Sequence, residues 1–187
     1  MIEATLCFPL RDGETGADPA TDADLATDDE TGREVLLIEK RRGLGEGWYN
    51  GPGGKCEPGE TPRECAIRET REEVGLEVRD LEKAGELRFL LDGEAHTFCH
   101  VYRTRSFEGE PTASEEAAPE WVPVDDVPYD RMWDDDRLWL PGVLEGKTVA
   151  GEFRFEGGTP LDEADFVDHE MAWDASLEGD QDEKRSY

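Results

Sequence analysis

Gly53-Gly54-Lys55-Cys56-Glu57-Pro58-Gly59-Glu60-Thr61-Pro62-Arg63-Glu64, continuing through Arg68-Glu69-Thr70-Arg71-Glu72-Glu73-Val74-Gly75-Leu76, is the stretch from which the rest of the chain is understood. Its second half is written as a helix with both ends marked. Thr61 followed three residues later by Glu64 makes a capping box, and Pro62 takes the first helical position, where its missing N–H costs nothing. Gly75 is placed to end the helix in a left-handed conformation. The spacing predicts a helix from about Pro62 to Val74. On it Ala66, Ile67, Thr70 and Val74 recur at helical intervals and bury one face. Glu69 and Glu73 stand one turn apart on an adjoining face, with Glu72 beside them. Three carboxylates so close repel one another unless a hard divalent cation sits among them, and Mg²⁺ prefers oxygen ligands that it shares with phosphates. A solvated acidic face is the plain alternative in so acidic a chain; the ordered spacing favours the metal.

The 187 residues carry 48 Asp+Glu against 20 Lys+Arg, a formal charge of −28. Such a balance argues against a nucleic-acid-binding surface, which needs clustered cations. No apolar run approaches the ~20 residues of a membrane helix, and no basic-then-apolar leader opens the chain, so a cytoplasmic protein is the expectation. Only Lys40, Lys55, Lys83, Lys147 and Lys184 are lysines. Acid so far in excess of lysine, in a chain that still has apolar segments and five Trp, suggests a folded domain adapted to concentrated salt. Cys7, Cys56, Cys65 and Cys99 lack metal-type spacing and are expected as reduced thiols; His96, His100 and His169 form no metal spacing either.

Outward from the central stretch, strands are expected over Ile2 to Leu10, Glu34 to Glu39, Leu87 to Leu91, His96 to Tyr102, Trp121 to Val124 and Gly151 to Phe155. Asp92-Gly93 should turn one strand back on the next. A second helix is expected over Asp134 to Leu144, with Pro141 as an internal defect. Residues 12–32 are almost free of anything to bury and are expected to form a mobile acidic surface insertion. The chain is thus anticipated as one domain over 1–167 with an acidic C-terminal tail over 168–187, whose order the sequence leaves open. Strands interleaved with two helices point to an α+β fold in which helices cover a sheet.

Gly54, Glu60, Arg68, Glu69, Thr70, Arg71, Glu72, Glu73, Val74, Gly75 and Leu76 fall at the spacing of the Nudix box, with Thr70 at a position that is usually apolar. The chain therefore resembles the Nudix family. That resemblance implies an α/β/α sandwich with a mixed β-sheet between helices, and hydrolysis of a nucleoside diphosphate linked to another group, dependent on Mg²⁺ with Mn²⁺ as the alternative. It also implies that Glu69 and Glu73 bind metal with the Gly53 carbonyl, that Glu72 contributes to metal binding or water activation, and that Arg68 and Glu60 pair to orient the glutamates.

The flanks resemble the oxidised-purine nucleoside triphosphatases of that family. Lys40 to Gly45 and Tyr49 to Gly54 are similar to the approach to the box. Met132-Trp133-Asp134-Asp135-Asp136 with Leu138-Trp139 is similar to the base-recognition segment. Asn50 can both donate and accept at a purine edge. Asp135 and Asp136 in a pocket could hold one proton between them and present a donor and an acceptor. Trp133 offers a stacking surface. By the same likeness Thr5, Lys40 and Phe89 would line the pocket, and Glu116 would be a further metal ligand. The plain alternatives are that Asp135 and Asp136 merely suit a helix N-terminus and that Trp133 is core. Leu44, Leu91 and Thr97 depart from the family pattern and should loosen the pocket.

The expectation is a nucleotide-pool-cleansing diphosphatase acting on small-molecule triphosphates such as 8-oxo-dGTP and releasing the monophosphate and pyrophosphate, with a monomer as the default assembly. The alternatives are a Nudix hydrolase of nucleotide sugars or other triphosphates, and a Nudix regulator that binds nucleotide without turnover.

Overall fold

The computed structural model describes residues 1–13, 32–158 and 161–177. In chain order its strands and helices are β1 (Ile2–Asp12), β2 (Arg33–Lys40), β3 (Tyr49–Asn50), α1 (Pro62–Val74), β4 (Glu77–Arg79), β5 (Glu82–Leu91), β6 (Glu94–Thr104), β7 (Ser106–Glu108), β8 (Ala117–Pro123), α2 (Asp136–Leu144), β9 (Val149–Glu156) and β10 (Asp165–Trp173). Strand order in the main sheet is β10-β9-β5-β6-β1-β2-β3, with β8 also paired to β2. β9 runs parallel to β5, and β6 parallel to β1, while the other pairings are antiparallel. This is the expected α+β sandwich, with a mixed sheet between two helices among the described residues.

Period-two alternation decides which helix each strand residue meets. Cys7, Leu36, Ile38 and Tyr102 turn to one face and pack with Ala66 and Val74 of α1. Phe8, Val35, Leu37 and Val101 turn to the other and pack with Trp139, Leu140 and Val143 of α2. Shifting either strand by one residue would exchange the two sets and put core side chains on the wrong layer.

The α1 helix has the predicted bounds and caps. Thr61 Oγ1 accepts from the Glu64 amide at 3.2 Å, the Glu64 carboxylate accepts from the Thr61 amide at 2.9 Å, and Gly75 closes the helix at φ 76°. Asp92 and Gly93, both at positive φ, turn β5 into β6 across a two-residue loop.

The second helix starts two residues later than expected. Asp134 and Asp135 belong to a turn in which the Asp136 amide donates to the Trp133 carbonyl at 3.0 Å. Pro141 lies inside the helix, which continues past it to Leu144. The amides of Glu145, Lys147 and Gly146 donate to the carbonyls of Pro141, Gly142 and Val143 at its C-terminal end, and side chains add to them. Arg103 of β6, which is buried, donates to the carbonyls of Val143, Gly146 and Lys147 at 2.7–2.9 Å, and Arg33 of β2 donates to Leu144 at 3.0 Å. Two strands thus fasten one end of α2 and set the position of the aspartates at the other.

The tail expected to begin at Asp168 requires a correction. Asp165 to Trp173 form β10, paired along β9, and Trp173 packs against Gly142 of α2, where a Cβ would meet its ring. Phe166, Met171 and Trp173 pack against the core, a bulge between Phe166 and Asp168 resetting the alternation, and hold an edge strand despite the acidic residues between them. The acidic insertion expected over 12–32 lies, apart from its ends, outside the described residues, as does the tail beyond residue 177.

Candidate active site

The α1 helix presents its acidic face to the loop that precedes it. Arg68 is the organising cation. Its Nε and Nη2 hold both oxygens of Glu60 at 2.8 and 2.9 Å, and its Nη1 donates to Glu69 at 2.7 Å and to Glu72 at 3.2 Å. That bidentate bond holds the Glu60 carboxyl down to about 2. Glu69 lies directly against Gly54, where a Cβ would sit 2.5 Å from its carboxyl carbon and push the carboxylate aside. Glu73 is 4% exposed and accepts from the Gly53 amide at 2.9 Å, with Lys40 Nζ 3.6 Å from its other oxygen. Burial raises its pKa and the charge of Glu69 raises it further, while the Gly53 amide and Lys40 act against both. Glu72 reaches toward solvent.

Among the described residues no three His, Cys, Asp or Glu side chains converge as in a closed metal site. The arrangement is an open one. Glu69 and Glu73 place carboxylate oxygens beside the Gly53-Gly54 backbone, with Glu72 tied to Arg68 on the solvent side, and like charges are held near one another at a cost that a cation would relieve. Mg²⁺ commonly takes one or two carboxylates and completes its shell with water and phosphate oxygens, so the residues fit such an ion.

Glu116 forms an ion pair with Arg42, and its carboxylate also feels the charge of Lys40, the residue that pairs with Glu73. The loop carrying Glu116 is hydrogen-bonded to Arg41 and Arg42, and these arginines dictate where its carboxylate points.

Beside the glutamates opens a cavity of about 600 Å³ that Thr5, Lys40, Asn50, Phe89, Trp133, Asp135 and Asp136 all line. The seven come from β1, β2, β3, β5 and the start of α2. Asn50 Oδ1 accepts from the Gly51 amide at 2.8 Å, so its NH₂ is the group it offers the cavity. Thr5 contributes less than expected, since its hydroxyl donates to Cys65 of α1 at 3.3 Å. Phe89 stacks on Phe153, centroids 5.7 Å apart. Leu44, Leu91 and Thr97 also line the cavity.

Asp135 and Asp136 are buried at the floor. Asp135 Oδ2 accepts from Trp139 Nε1 at 2.9 Å, and Asp136 Oδ2 accepts from the Trp133 amide at 3.1 Å. Asp135 occupies the N-cap position of α2 but makes no side-chain capping bond. Its Oδ1 has no protein partner. Burial raises both carboxyls, with the Trp139 N–H restraining Asp135 and the Asp135 charge pushing Asp136 higher still. The pair therefore holds a proton in a range where exposed aspartates have lost theirs.

The NUDIX domain model matches residues 19–143, two thirds of the chain. The chain belongs to the Nudix family. This Nudix hydrolase is 44% identical over 124 residues to an oxidized purine nucleoside triphosphate hydrolase of Danio rerio, with 66% of this chain and 80% of that protein covered. It is 40% identical over 125 residues to the protein of that name from Mus musculus, again covering 66% and 80%. Among solved structures its fold is similar to a MutT protein from Bacillus halodurans, at TM-score 0.67 and 22% identity, covering 91% of this chain and 97% of that one.

Trp48 and Cys99 also line the cavity, where no motif in the sequence placed them. Trp48 lies two residues before Asn50, and Cys99 two residues after Thr97 on β6, so strand alternation was the available signal. Trp139, within the segment expected to recognise the base, lies one turn after Asp135 and also lines the cavity.

Proposed function

We propose that this Nudix hydrolase is a Mg²⁺-dependent pyrophosphohydrolase of purine nucleoside triphosphates, oxidised ones such as 8-oxo-dGTP above all, and that it clears them from the nucleotide pool. The observation that carries the reading is the buried Asp135–Asp136 pair opposite the Asn50 amide, in a cavity continuous through Lys40 with Glu73. A pair sharing one proton offers a donor and an acceptor together, and an oxidised purine differs from the normal base in its donor and acceptor pattern. The names of the zebrafish and mouse relatives support the same reading.

Glu69 and Glu73, with the Gly53 carbonyl and Glu72, would hold the ion, which when bound supplies charge neutralisation on the phosphates and a more acidic water. The residues of the chain do the rest. Asn50 and the aspartates fix the base, Trp133 stacks on it, and Lys40 faces the phosphates from beside Glu73. Arg68, anchored by Glu60, keeps Glu69 and Glu72 from splaying apart. Water adds to phosphorus as the P–O bond to the leaving group breaks, giving the monophosphate and pyrophosphate.

The test is product analysis in molar KCl with Mg²⁺ on 8-oxo-dGTP, dGTP, 2-hydroxy-dATP and ADP-ribose, with Glu73→Gln as control. Preferred release of 8-oxo-dGMP and pyrophosphate, lost in the variant, supports the proposal. Turnover of ADP-ribose instead keeps the box and removes the base pocket, and nucleotide binding without any turnover points to a regulator.

A further inference from the structure

Trp48 immediately precedes β3 and stands two residues before Asn50, so in extended chain both side chains leave on the same side, and both line the cavity. Its backbone is fastened on both sides. The Lys40 amide donates to the Trp48 carbonyl at 2.9 Å, and the Trp48 amide to the Gly45 carbonyl at 2.9 Å. This closes a loop in which Gly43, Gly45 and Gly47 all take positive φ, a conformation larger side chains resist. The ring of Trp48 meets Trp133 edge to face, centroids 5.0 Å apart and planes at 84°.

That contact joins the two pieces of chain that face the base. Trp48 shares its strand side with Asn50, while the Trp133 amide holds Asp136. A Cβ on Gly45 would lie 3.8 Å from the Trp133 ring, so the glycine loop bounds the ring on one side and Trp48 on another. Elsewhere the mouth is thinly walled, with Leu44 47% exposed. A stacking ring free to swing would lose that freedom on binding and weaken the nucleotide accordingly.

Resting on the reading of the cavity as a base pocket, we propose that Trp48 is a positioning residue for purine recognition. It holds the Trp133 ring in the plane on which a two-ring base stacks, and so favours purine over pyrimidine triphosphates. A one-ring base resting on Trp133 spans less of the distance to Asn50 and the aspartates and gains less from the fixed plane.

The experiment compares kcat and KM for 8-oxo-dGTP, dGTP and dCTP in the wild type, Trp48→Phe, Trp48→Leu, Trp133→Leu and the double variant Trp48→Leu/Trp133→Leu, with thermal melts alongside. Trp48→Leu should raise KM for the purine substrates about tenfold, the scale of one lost aromatic pair. Its kcat should fall by less than KM rises, and KM for dCTP should barely move. Trp48→Phe should recover most of the loss. Trp48→Leu should add little in the Trp133→Leu background, since a buttress has nothing left to hold. Unchanged purine KM in Trp48→Leu, or effects of the two single variants that simply multiply, would overturn the proposal. If Trp48→Leu melts below the assay temperature, Trp48→Phe decides, an intermediate purine KM supporting the role and a wild-type value overturning it. A wild-type enzyme that takes dCTP as well as the purines defeats the base-pocket reading itself, a failure visible before any variant is compared.

Discussion

The indole Nε1 of Trp139 donates to Asp135 Oδ2 at 2.9 Å, one helical turn away and inside the core of α2. A residue that looks like core packing therefore also sets the charge balance of the carboxylate pair. The N–H favours the ionised form of Asp135, and an ionised Asp135 in turn keeps the proton on Asp136.

Trp139→Phe should test this relation. Removing the donor leaves both oxygens of Asp135 without a protein partner, and stability should fall by about 1–3 kcal/mol at neutral pH. The ionised form loses its support, so the pH at which KM for the purine substrate changes should move upward. A pH profile identical to wild type would count against the proton-sharing role of the pair.

Asp136→Asn should stabilise the fold. Burial raises the Asp136 pKa in the native state, so above about pH 4 the native protein binds more protons than the unfolded chain and loses stability as pH rises through the folded value. The amide carries no charge and can still accept from Trp133. Its advantage in thermal melts should be near zero at pH 4 and grow toward pH 8. Selectivity between 8-oxo-dGTP and dGTP should fall in the same variant.

Glu73→Gln separates metal binding from folding. The glutamine can keep the Gly53 contact and removes a buried charge that burial and Glu69 already disfavour, so Tm without metal should hold or rise. Activity should drop by roughly 10²–10⁴-fold, as expected for loss of a group that activates or positions the attacking water. Mg²⁺ at about a hundred times its Kd should stabilise wild type by ~2.7 kcal/mol and the variant by much less. Equal Mg²⁺ shifts in both would remove Glu73 from the metal site.

Salt should activate the enzyme. A chain of charge −28 repels a triphosphate, and screening grows as the Debye length shrinks from about 10 Å at 0.1 M to about 3 Å at 1 M. Activity measured against KCl should rise into the molar range. An optimum near ~0.1 M would refute the salt-adapted reading of the composition.

Much of the catalytic stretch was legible because its signals are local. Thr61, Glu64, Pro62 and Gly75 act within one turn of the helix ends they mark, and the structure has those ends where the spacing predicts them. The reach of Glu69 and Glu73 toward Gly53 and Gly54 follows once the helix and its preceding loop are granted. Glu116 is tied to Arg42, a partner 74 residues away, a pairing that no local signal announces. β10 was missed because its apolar residues are spaced by acids and gain their burial only from β9 and α2.

The sequence by itself determined the helix that carries the glutamates, the alternation that gives β1 and β2 two buried faces, and the acidic character of the whole. These depend on helix caps, residue period and composition, which act over a few residues. Only the tertiary structure decided that Asn50, Phe89, Trp133 and the two aspartates share one cavity beside Glu73. That convergence depends on the parallel pairings of β6 with β1 and β9 with β5, and on two arginines, Arg33 and Arg103, that pin the far end of α2. Pairings between distant segments leave no periodic mark in the chain, because each is selected by the shapes and hydrogen bonds of elements that exist only once the others have formed.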